Sequence, residues 1–263
     1  MTDASSAPRP RGLACRVVAR LDIKAPQGLV KGIHLEGFRV IGDPAEHAVR
    51  YYGQGADELV YMDAVASLYG RNSLADLVSS TAAKIFVPLT VGGGVRSVED
   101  IQALLRAGAD KVAINTAAVA RPELLAEAAR AFGSQCIVLS VEAKRTGPGT
   151  WEVYTDNGRE RTGRDVLEWI RKACDLGVGE VLLTSVDREG TRKGMDLELV
   201  EAVAPRVNVP LVASGGAGSV ADVAAAFQRR ADAVAVASVL HYKTLTVGDL
   251  KTGLRERGLE VRL

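Results

Sequence analysis

Two carboxylates at the ends of predicted strands are the side chains best suited to chemistry in this sequence. Asp22 follows an apolar run in LDIK, and Glu142 follows another in VEAK, 120 residues further along the chain. Two carboxyl groups that face each other across a pocket can serve as general acid and general base. The alternative is a structural pair with Lys24 or Lys144, each two residues beyond its carboxylate. Side chains two apart on a strand share one side, and burying such charges is costly without a function, which favours catalysis.

A glycine-rich segment occurs twice and indicates a phosphate site in each copy. PLTVGGGV, residues 88–95, returns as PLVASGGA, residues 210–217, at an offset of 122 residues. A glycine turn after a buried strand exposes backbone N–H groups that can bind a phosphate. A single copy fits a simple tight turn equally well. The repetition favours two phosphate sites.

The segments after the two glycine turns match as well. Each begins with Ser in a helix-like stretch, SVEDIQALLRAGAD or SVADVAAAFQRRAD, and leads to a second apolar strand, KVAIN or AVAVA. The second strands end in small side chains, Asn115–Thr116 in one copy and Ala237–Ser238 in the other. We therefore expect one phosphate between Gly93 and Thr116 and the other between Gly215 and Ser238.

The elements that must position these residues predict one α/β domain, a (β/α)8 TIM barrel built from two duplicated half-barrels. We expect the barrel over residues 15–263, after a disordered tail at 1–14. Eight apolar strands separated by helical segments fill this length: CRVVARLDIK, DELVYMDA, IFVPLTV, KVAIN, SQCIVLSVEAK, GEVLLTSVDREGTRKG with its loop, PLVAS and AVAVA. The insert RTGPGTWEVYTDNGRERTG predicts a small hairpin.

Two residues between these elements allow a structural and a functional interpretation. Lys31 lies in the long glycine-containing loop KAPQGLVKGIHLEGFRVIG, ahead of a helix that begins at Asp43-Pro44. It is either a solvated lysine or a residue of a mobile loop that closes over substrate. Asp63 ends the second strand and either caps the next helix or lines the pocket.

Composition limits the partners of this chain. It has 263 residues, 47% of them hydrophobic and 5% aromatic, and a formal charge of +1, so we expect neither nucleic acid nor a membrane as partner. The start of the sequence resembles no signal peptide. Cysteines without metal or disulfide spacing indicate reduced thiols in the cytoplasm: Cys15, Cys136 and Cys174. Histidines without ligand spacing indicate no metal, and we expect no cofactor: His34, His47 and His241.

From about residue 14 to residue 260, the chain resembles the cyclase subunit family of imidazole glycerol phosphate synthase, from histidine biosynthesis. Its motifs occur in order and at the family's spacing: LDIK, LVKG, GDP, GADELVYMD, PLTVGGGVRS, AGADKVAIN, FGSQCIV, WEVYT, LLTSVDREGT and ASGGAG. The resemblance implies a TIM barrel enzyme that receives ammonia from a glutaminase (HisH-like) subunit. Its substrate would be a bisphosphorylated ribulosyl formimino aminoimidazole carboxamide ribotide, and it would release imidazole glycerol phosphate and the aminoimidazole carboxamide ribotide.

The resemblance also implies a role for each matching residue. Asp22 and Glu142 would be catalytic, and Lys31 would be the loop lysine near the substrate. The substrate and its phosphates would contact Asp63, Thr90, Gly93, Gly94, Asn115, Thr116, Thr184, Glu189, Gly190, Ser214, Gly215, Gly216, Ala237 and Ser238. A gate for ammonia at the N-terminal face of the barrel would consist of Arg16, Glu58, Lys111 and Glu180, for which a structural ion-pair cluster is the alternative.

Three residues depart from the family pattern, which has Asp at Glu142, Cys at Arg20 and Asp at Glu189. The longer Glu moves a carboxyl by about 1.5 Å, enough to affect a reaction that depends on position. A second interpretation is therefore a paralogue from cell-surface sugar or specialised-metabolite biosynthesis that forms an amidine or a ring on another phosphorylated substrate. A non-catalytic scaffold for a glutaminase and the related isomerase of the same pathway are further alternatives.

Overall fold

The structure is a computed structural model, and it describes residues 13–25, 28–66 and 74–263. The tail expected at residues 1–14 lies outside this part of the chain, apart from Leu13 and Ala14. Within the described residues, no helix is both long enough and apolar enough to cross a membrane.

Eight parallel strands close into a barrel, which confirms the predicted fold class. Each strand pairs with the next and the last pairs with the first. They are β1 Arg16–Lys24, β4 Glu58–Asp63, β5 Leu89–Gly92, β6 Lys111–Ile114, β7 Ile137–Gly147, β10 Glu180–Ser185, β11 Leu211–Ser214 and β12 Ala233–Val236.

Helices follow the barrel strands and cover their outer faces with apolar side chains. Several begin at the polar residue that the sequence offers as a cap, such as Asp43 before the first helix. In chain order they are α1 Pro44–Gly53, α2 Ala75–Ala82, α3 Val98–Arg106, α4 Thr116–Ala120, α5 Glu123–Phe132, α6 Val166–Asp175, α7 Leu197–Val203, α8 Val220–Gln228, α9 Ser238–His241 and α10 Val247–Glu256.

Matching contacts in the two halves confirm the duplication. The Asp110 carboxylate accepts a hydrogen bond from the N–H of Leu89 at 2.8 Å, and Asp232 accepts one from Leu211 at 2.9 Å. Both pairs differ by the 122-residue offset of the glycine segments. Ser97 and Ser219 cap α3 and α8 in the same way.

In the residues that the structure describes, four short strands lie outside the barrel. The insert after β7 forms the predicted hairpin, with β8 at Thr150–Thr155 and β9 at Glu160–Asp165. The segment expected as a long loop is also a hairpin, with β2 at Gly28–Ile33 and β3 at Glu36–Gly42. The loop prediction was wrong because this hairpin turns at His34 and Leu35, which have φ of 55° and 63°. That turn lacks the Asn-Gly signal that identifies most two-residue hairpin turns.

The third barrel strand is shorter than its apolar run predicted. It begins at Leu89, whereas the run begins at Ile85, and the Phe86 side chain is 82% exposed. An apolar run predicts that a strand is present but does not determine its first residue. Here the strand begins at Leu89, whose N–H donates a hydrogen bond to Asp110.

Inward-facing side chains fill the barrel in layers. On β1 these are Arg16, Val18, Arg20 and Asp22 in order, because alternate residues point to the same side. The middle layer is apolar and consists of Val18, Val60, Ala113, Val138, Leu182, Val212, Ala233 and Ala235. It separates charged residues at the two ends of the barrel.

Candidate active site

A cluster of four buried charges lies at the carboxyl end of β1. Asp22 accepts hydrogen bonds from Arg20 Nε and from Lys31 Nζ, both at 2.9 Å. Lys31 also pairs with Glu189. All four side chains are buried. Lys31 is therefore neither solvated nor on an open loop, since the β2–β3 hairpin carries it into the mouth of the barrel.

The cations of this cluster keep Asp22 ionised. Burial alone would raise the pKa of Asp22, but the charges of Arg20 and Lys31 outweigh burial and hold that pKa well below its usual range. Burial likewise opposes the charge of Lys31, and Asp22 and Glu189 raise its pKa above the ordinary lysine value. Asp22 is thus a fixed negative charge and a weak base.

Glu142 has a different environment on the opposite half-barrel. It is buried on β7, and one carboxylate oxygen accepts the N–H of Gly158 at 2.7 Å. Burial raises the pKa of Glu142 to about 7, although the Gly158 hydrogen bond and the charge of Arg20 oppose the rise. A carboxyl with this pKa can give and take a proton near neutral pH.

The lysines two residues beyond the carboxylates do not pair with them. Asp22 pairs with Arg20 and Lys31 instead, and the ammonium of Lys144 lies over the Tyr154 ring, 5.2 Å from its centre. The structural alternative drawn from LDIK and VEAK is therefore wrong.

The first glycine segment forms one wall of a cavity of about 350 Å³ at the mouth. Gly93 has φ of 98°, and an added Cβ would lie 2.4 Å from the Asp63 carbonyl oxygen, so only glycine fits. Asn115 donates to the Tyr154 carbonyl at 3.1 Å, and Thr116 begins α4. The expected residues that line this cavity are Asp63, Gly93, Gly94, Asn115, Thr116 and Glu142.

The second glycine segment has the same backbone form at its matching position. Gly215 has φ of 99°, and an added Cβ would lie 2.7 Å from the Ser185 carbonyl oxygen. A much smaller cavity lies against it. The expected residues around this cavity are Glu189, Gly190, Ser214, Gly215, Gly216, Ala237 and Ser238.

Of the other expected pocket residues, some have structural partners. Thr184 and Ser214 accept hydrogen bonds from Arg20 Nη1 at 2.8 and 3.2 Å. Asp63 accepts the N–H groups of Val65 and Ala66, both at 3.0 Å, so it organises the turn after β4 while it lines the cavity. Thr90 is buried on β5 and does not line the cavity.

The four residues expected at the N-terminal face form a closed ring of ion pairs. Lys111 bonds to Glu58 at 2.9 Å and to Glu180 at 3.0 Å. Arg16 bonds to Glu180 at 3.1 Å and also pairs with Glu58. The ring lies below the apolar layer, at the opposite end of the barrel axis from Asp22 and Glu142.

Three features of the mouth were not assigned from the sequence. The N–H of Gly158, in the turn between β8 and β9, holds Glu142. Arg96 and Arg121 add two cations to the lining of the cavity. Arg20 joins β1 to β10 and β11. Its position two residues before Asp22 predicts that both side chains point to the same side of β1, but it does not predict the partners of the guanidinium.

In the described part of the chain, no group of three or more His, Cys, Asp or Glu side chains is arranged to hold a metal ion. The fold and this mouth define the class of the protein: a duplicated (β/α)8 barrel whose pocket lies at the carboxyl ends of the strands.

Comparison with known proteins gives the family. The model of the family described as "Histidine biosynthesis protein" matches residues 16–246, and the chain belongs to this family. Three relatives carry the name imidazole glycerol phosphate synthase subunit HisF. The one from Legionella pneumophila is 64% identical over 203 residues, 77% of this chain and 95% of its own length. That of Mycobacteroides abscessus is 52% identical over 95% of this chain and 99% of its own, and that of Mycobacterium tuberculosis 51% identical over 97% of each.

These matches confirm the resemblance to the cyclase subunit family and the interpretation of the chain as an enzyme of histidine biosynthesis. They give no support to a paralogue from another pathway, since all three relatives share the cyclase subunit's name.

Proposed function

We propose that the chain uses ammonia to cyclise and cleave the phosphorylated ribulosyl formimino aminoimidazole carboxamide ribotide. The products are imidazole glycerol phosphate and the aminoimidazole carboxamide ribotide. The arrangement of the barrel along its axis supports the proposal. Two matching glycine turns lie at the mouth, which also contains Asp22 and Glu142. An ion-pair ring lies at the opposite end of the barrel. A substrate with a phosphate at each end would lie between these carboxylates. Ammonia that enters at the N-terminal end of the barrel would reach it there.

In the proposed reaction the two carboxyls have unequal roles. Glu142 gives a proton to an oxygen of the substrate and recovers one from nitrogen, which its pKa of about 7 allows near neutral pH. Asp22, held ionised by Arg20 and Lys31, stabilises the positive charge that develops on the attacking nitrogen. Backbone N–H groups of the two glycine turns bind the phosphates.

The proposed partner is a glutaminase that docks on the N-terminal face and releases ammonia at the ring of Arg16, Glu58, Lys111 and Glu180. Alternating charges close the ring by mutual pairing, and an apolar layer lies above it. In the proposed route, ammonia crosses this layer as a small neutral molecule. The three cysteines have neither metal nor disulfide spacing, which fits a reducing compartment, and we infer that the chain works in the cytoplasm.

Turnover of the histidine-pathway intermediate with an ammonium salt tests the activity, and a glutaminase that co-purifies and supports turnover with glutamine tests the partner. A folded sample that binds the intermediate without turnover would exclude the cyclase reaction and favour the paralogue. Crystals grown with sulfate should show one anion at Gly93 to Thr116 and another at Gly215 to Ser238. An open mouth with an anion at neither position would count against a bisphosphorylated substrate.

A further inference from the structure

Arg20 is a buried cation in the mouth to which the proposed function gives no chemical role of its own. It departs from the family pattern, and only 4% of its surface is exposed. Its Nε donates to Asp22 at 2.9 Å, and its Nη1 donates to Thr184 at 2.8 Å and to Ser214 at 3.2 Å. No described residue accepts a hydrogen bond from Nη2. Because Arg20 also lines the cavity beside Glu142, it has a donor left for a ligand there.

The three hydrogen bonds fix the direction of that donor. A guanidinium is planar, so contacts with strands β1, β10 and β11 determine where Nη2 points. A guanidinium remains charged at any working pH, and it donates hydrogen bonds without accepting them. Its partner in the cavity must therefore be an oxygen or another acceptor that gains from nearby positive charge.

The layers of the barrel indicate which substrate atom this is. Val18 and Leu182 of the apolar layer precede Arg20 and Thr184 by two residues on their strands, so Arg20 lies directly above that layer. Ammonia that crosses the barrel leaves the apolar layer beside the guanidinium. A substrate group next to Arg20 is thus the group that ammonia meets first.

We propose that Arg20 Nη2 donates a hydrogen bond to the carbonyl oxygen whose carbon ammonia attacks, and that Arg20 is a catalytic residue of this step. The inference rests on the proposed function and makes it more specific: the acceptor is a ketone between two phosphorylated arms, as in a ribulosyl group. A preorganised donor in a dry site stabilises the charge that develops on such an oxygen.

The step balances without an oxidant or a further reactant. The lone pair of ammonia forms the C–N bond, and the π pair of the C=O bond moves to the oxygen held by Arg20. Glu142 gives its proton to that oxygen, and its carboxylate then takes a proton from the new nitrogen. The product is a carbinolamine that holds all atoms of ammonia and ketone, and Glu142 returns to its protonated form.

Three variants separate this role from that of a residue that only holds Asp22. Arg20→Met removes both the charge and the donor. Arg20→Lys keeps a cation beside Asp22 but lacks the second nitrogen that reaches the cavity. Arg161→Met is the control, because Arg161 is a 71% exposed arginine on the outer hairpin whose partner is Glu152.

The measurements are ammonium-dependent kcat, the Kd of the intermediate without ammonia, and the infrared stretch of a ¹³C-labelled ketone in the bound intermediate. We expect Arg20→Met and Arg20→Lys to lower kcat by about 10²–10³-fold, as for loss of one oxyanion donor, and to change Kd only a few-fold. The bound ketone should absorb at a higher frequency than in the parent, because it loses the hydrogen bond. Arg161→Met should match the parent throughout.

In the variants, either of two results would overturn the inference: an unchanged ketone frequency in Arg20→Met, or full activity in Arg20→Lys, which would limit Arg20 to holding Asp22. A parent protein that binds the intermediate but does not turn it over refutes the proposed function, while the infrared comparison still decides the contact with Arg20. A parent that does not bind the intermediate overturns both.

Discussion

Glu142→Gln should stabilise the protein, and increasingly so as the pH rises. The Glu142 side chain is buried, and its pKa is about 7 in the folded protein against 4.5 for an ordinary glutamate. A folded pKa above the unfolded value means that the unfolded chain loses this proton first. The ionised carboxylate therefore opposes folding, and its cost is absent below about pH 4.5, grows up to pH 7 and is complete above it.

The size of this effect follows from the shift. A difference of about 2.5 pH units at about 1.4 kcal/mol per unit corresponds to about 3 kcal/mol. Glutamine never ionises, and its side-chain oxygen can still accept the Gly158 N–H. The free energy of unfolding of Glu142→Gln, relative to the parent, should therefore rise by about 3 kcal/mol between pH 4.5 and pH 8.

Urea unfolding of parent and variant at several pH values between 4.5 and 8 measures this difference directly. Glu160→Gln is the matched control, because Glu160 is an exposed glutamate on β9. It removes the same charge as Glu142→Gln, but from the surface and not from a buried site. A Glu142→Gln difference that stays flat or falls with pH would show that burial does not raise the pKa of this carboxyl.

Three further predictions concern the reaction, the glycine turn and the ring. Glu142→Gln should lower ammonium-dependent kcat by about 10²–10⁴-fold, because an amide cannot relay the proton; a near-normal pH–rate profile would remove Glu142 from the mechanism. Gly93→Ala should cost about 1–3 kcal/mol of stability and weaken substrate binding, because the backbone has φ of 98° and the added Cβ would lie 2.4 Å from the Asp63 carbonyl oxygen. Thermal unfolding and binding assays measure both effects, with Gly53→Ala as the control because Gly53 has open space around it. Lys111→Met should open the ring. The amount of product formed per glutamine consumed should then fall, while turnover with ammonium salt persists. An equal loss of turnover with both nitrogen sources would limit the ring to a structural role.

Repetition in the sequence predicted the scaffold of the site well. The 122-residue offset predicted two matching glycine turns, and Gly93 and Gly215 have the same backbone form. Glycine is required at both positions because a neighbouring carbonyl oxygen leaves no room for a Cβ. Helix starts at Ser97 and Ser219 followed from local chemistry, since a capping side chain needs only the next turn of its own helix.

Contacts between distant segments were harder to predict. Alternation put Arg20 and Asp22 on one side of β1, but nothing local shows that the guanidinium turns back to Asp22 and across to β10. Lys31 looked like a loop residue because its hairpin turns at His34 and Leu35, which have positive φ, and the distant contact of His34 with the Val186 carbonyl is not visible in the local sequence. The raised pKa of Glu142 likewise depends on burial by the whole barrel.

Incubation of the purified chain with ¹⁵N-ammonium and the histidine-pathway intermediate shows whether this barrel carries out the ammonia-dependent cyclase reaction. Imidazole glycerol phosphate and the aminoimidazole carboxamide ribotide should form in equal amounts, and the label should appear in the imidazole. Binding of the intermediate without release of either product, or label found only in the carboxamide ribotide, would contradict this prediction.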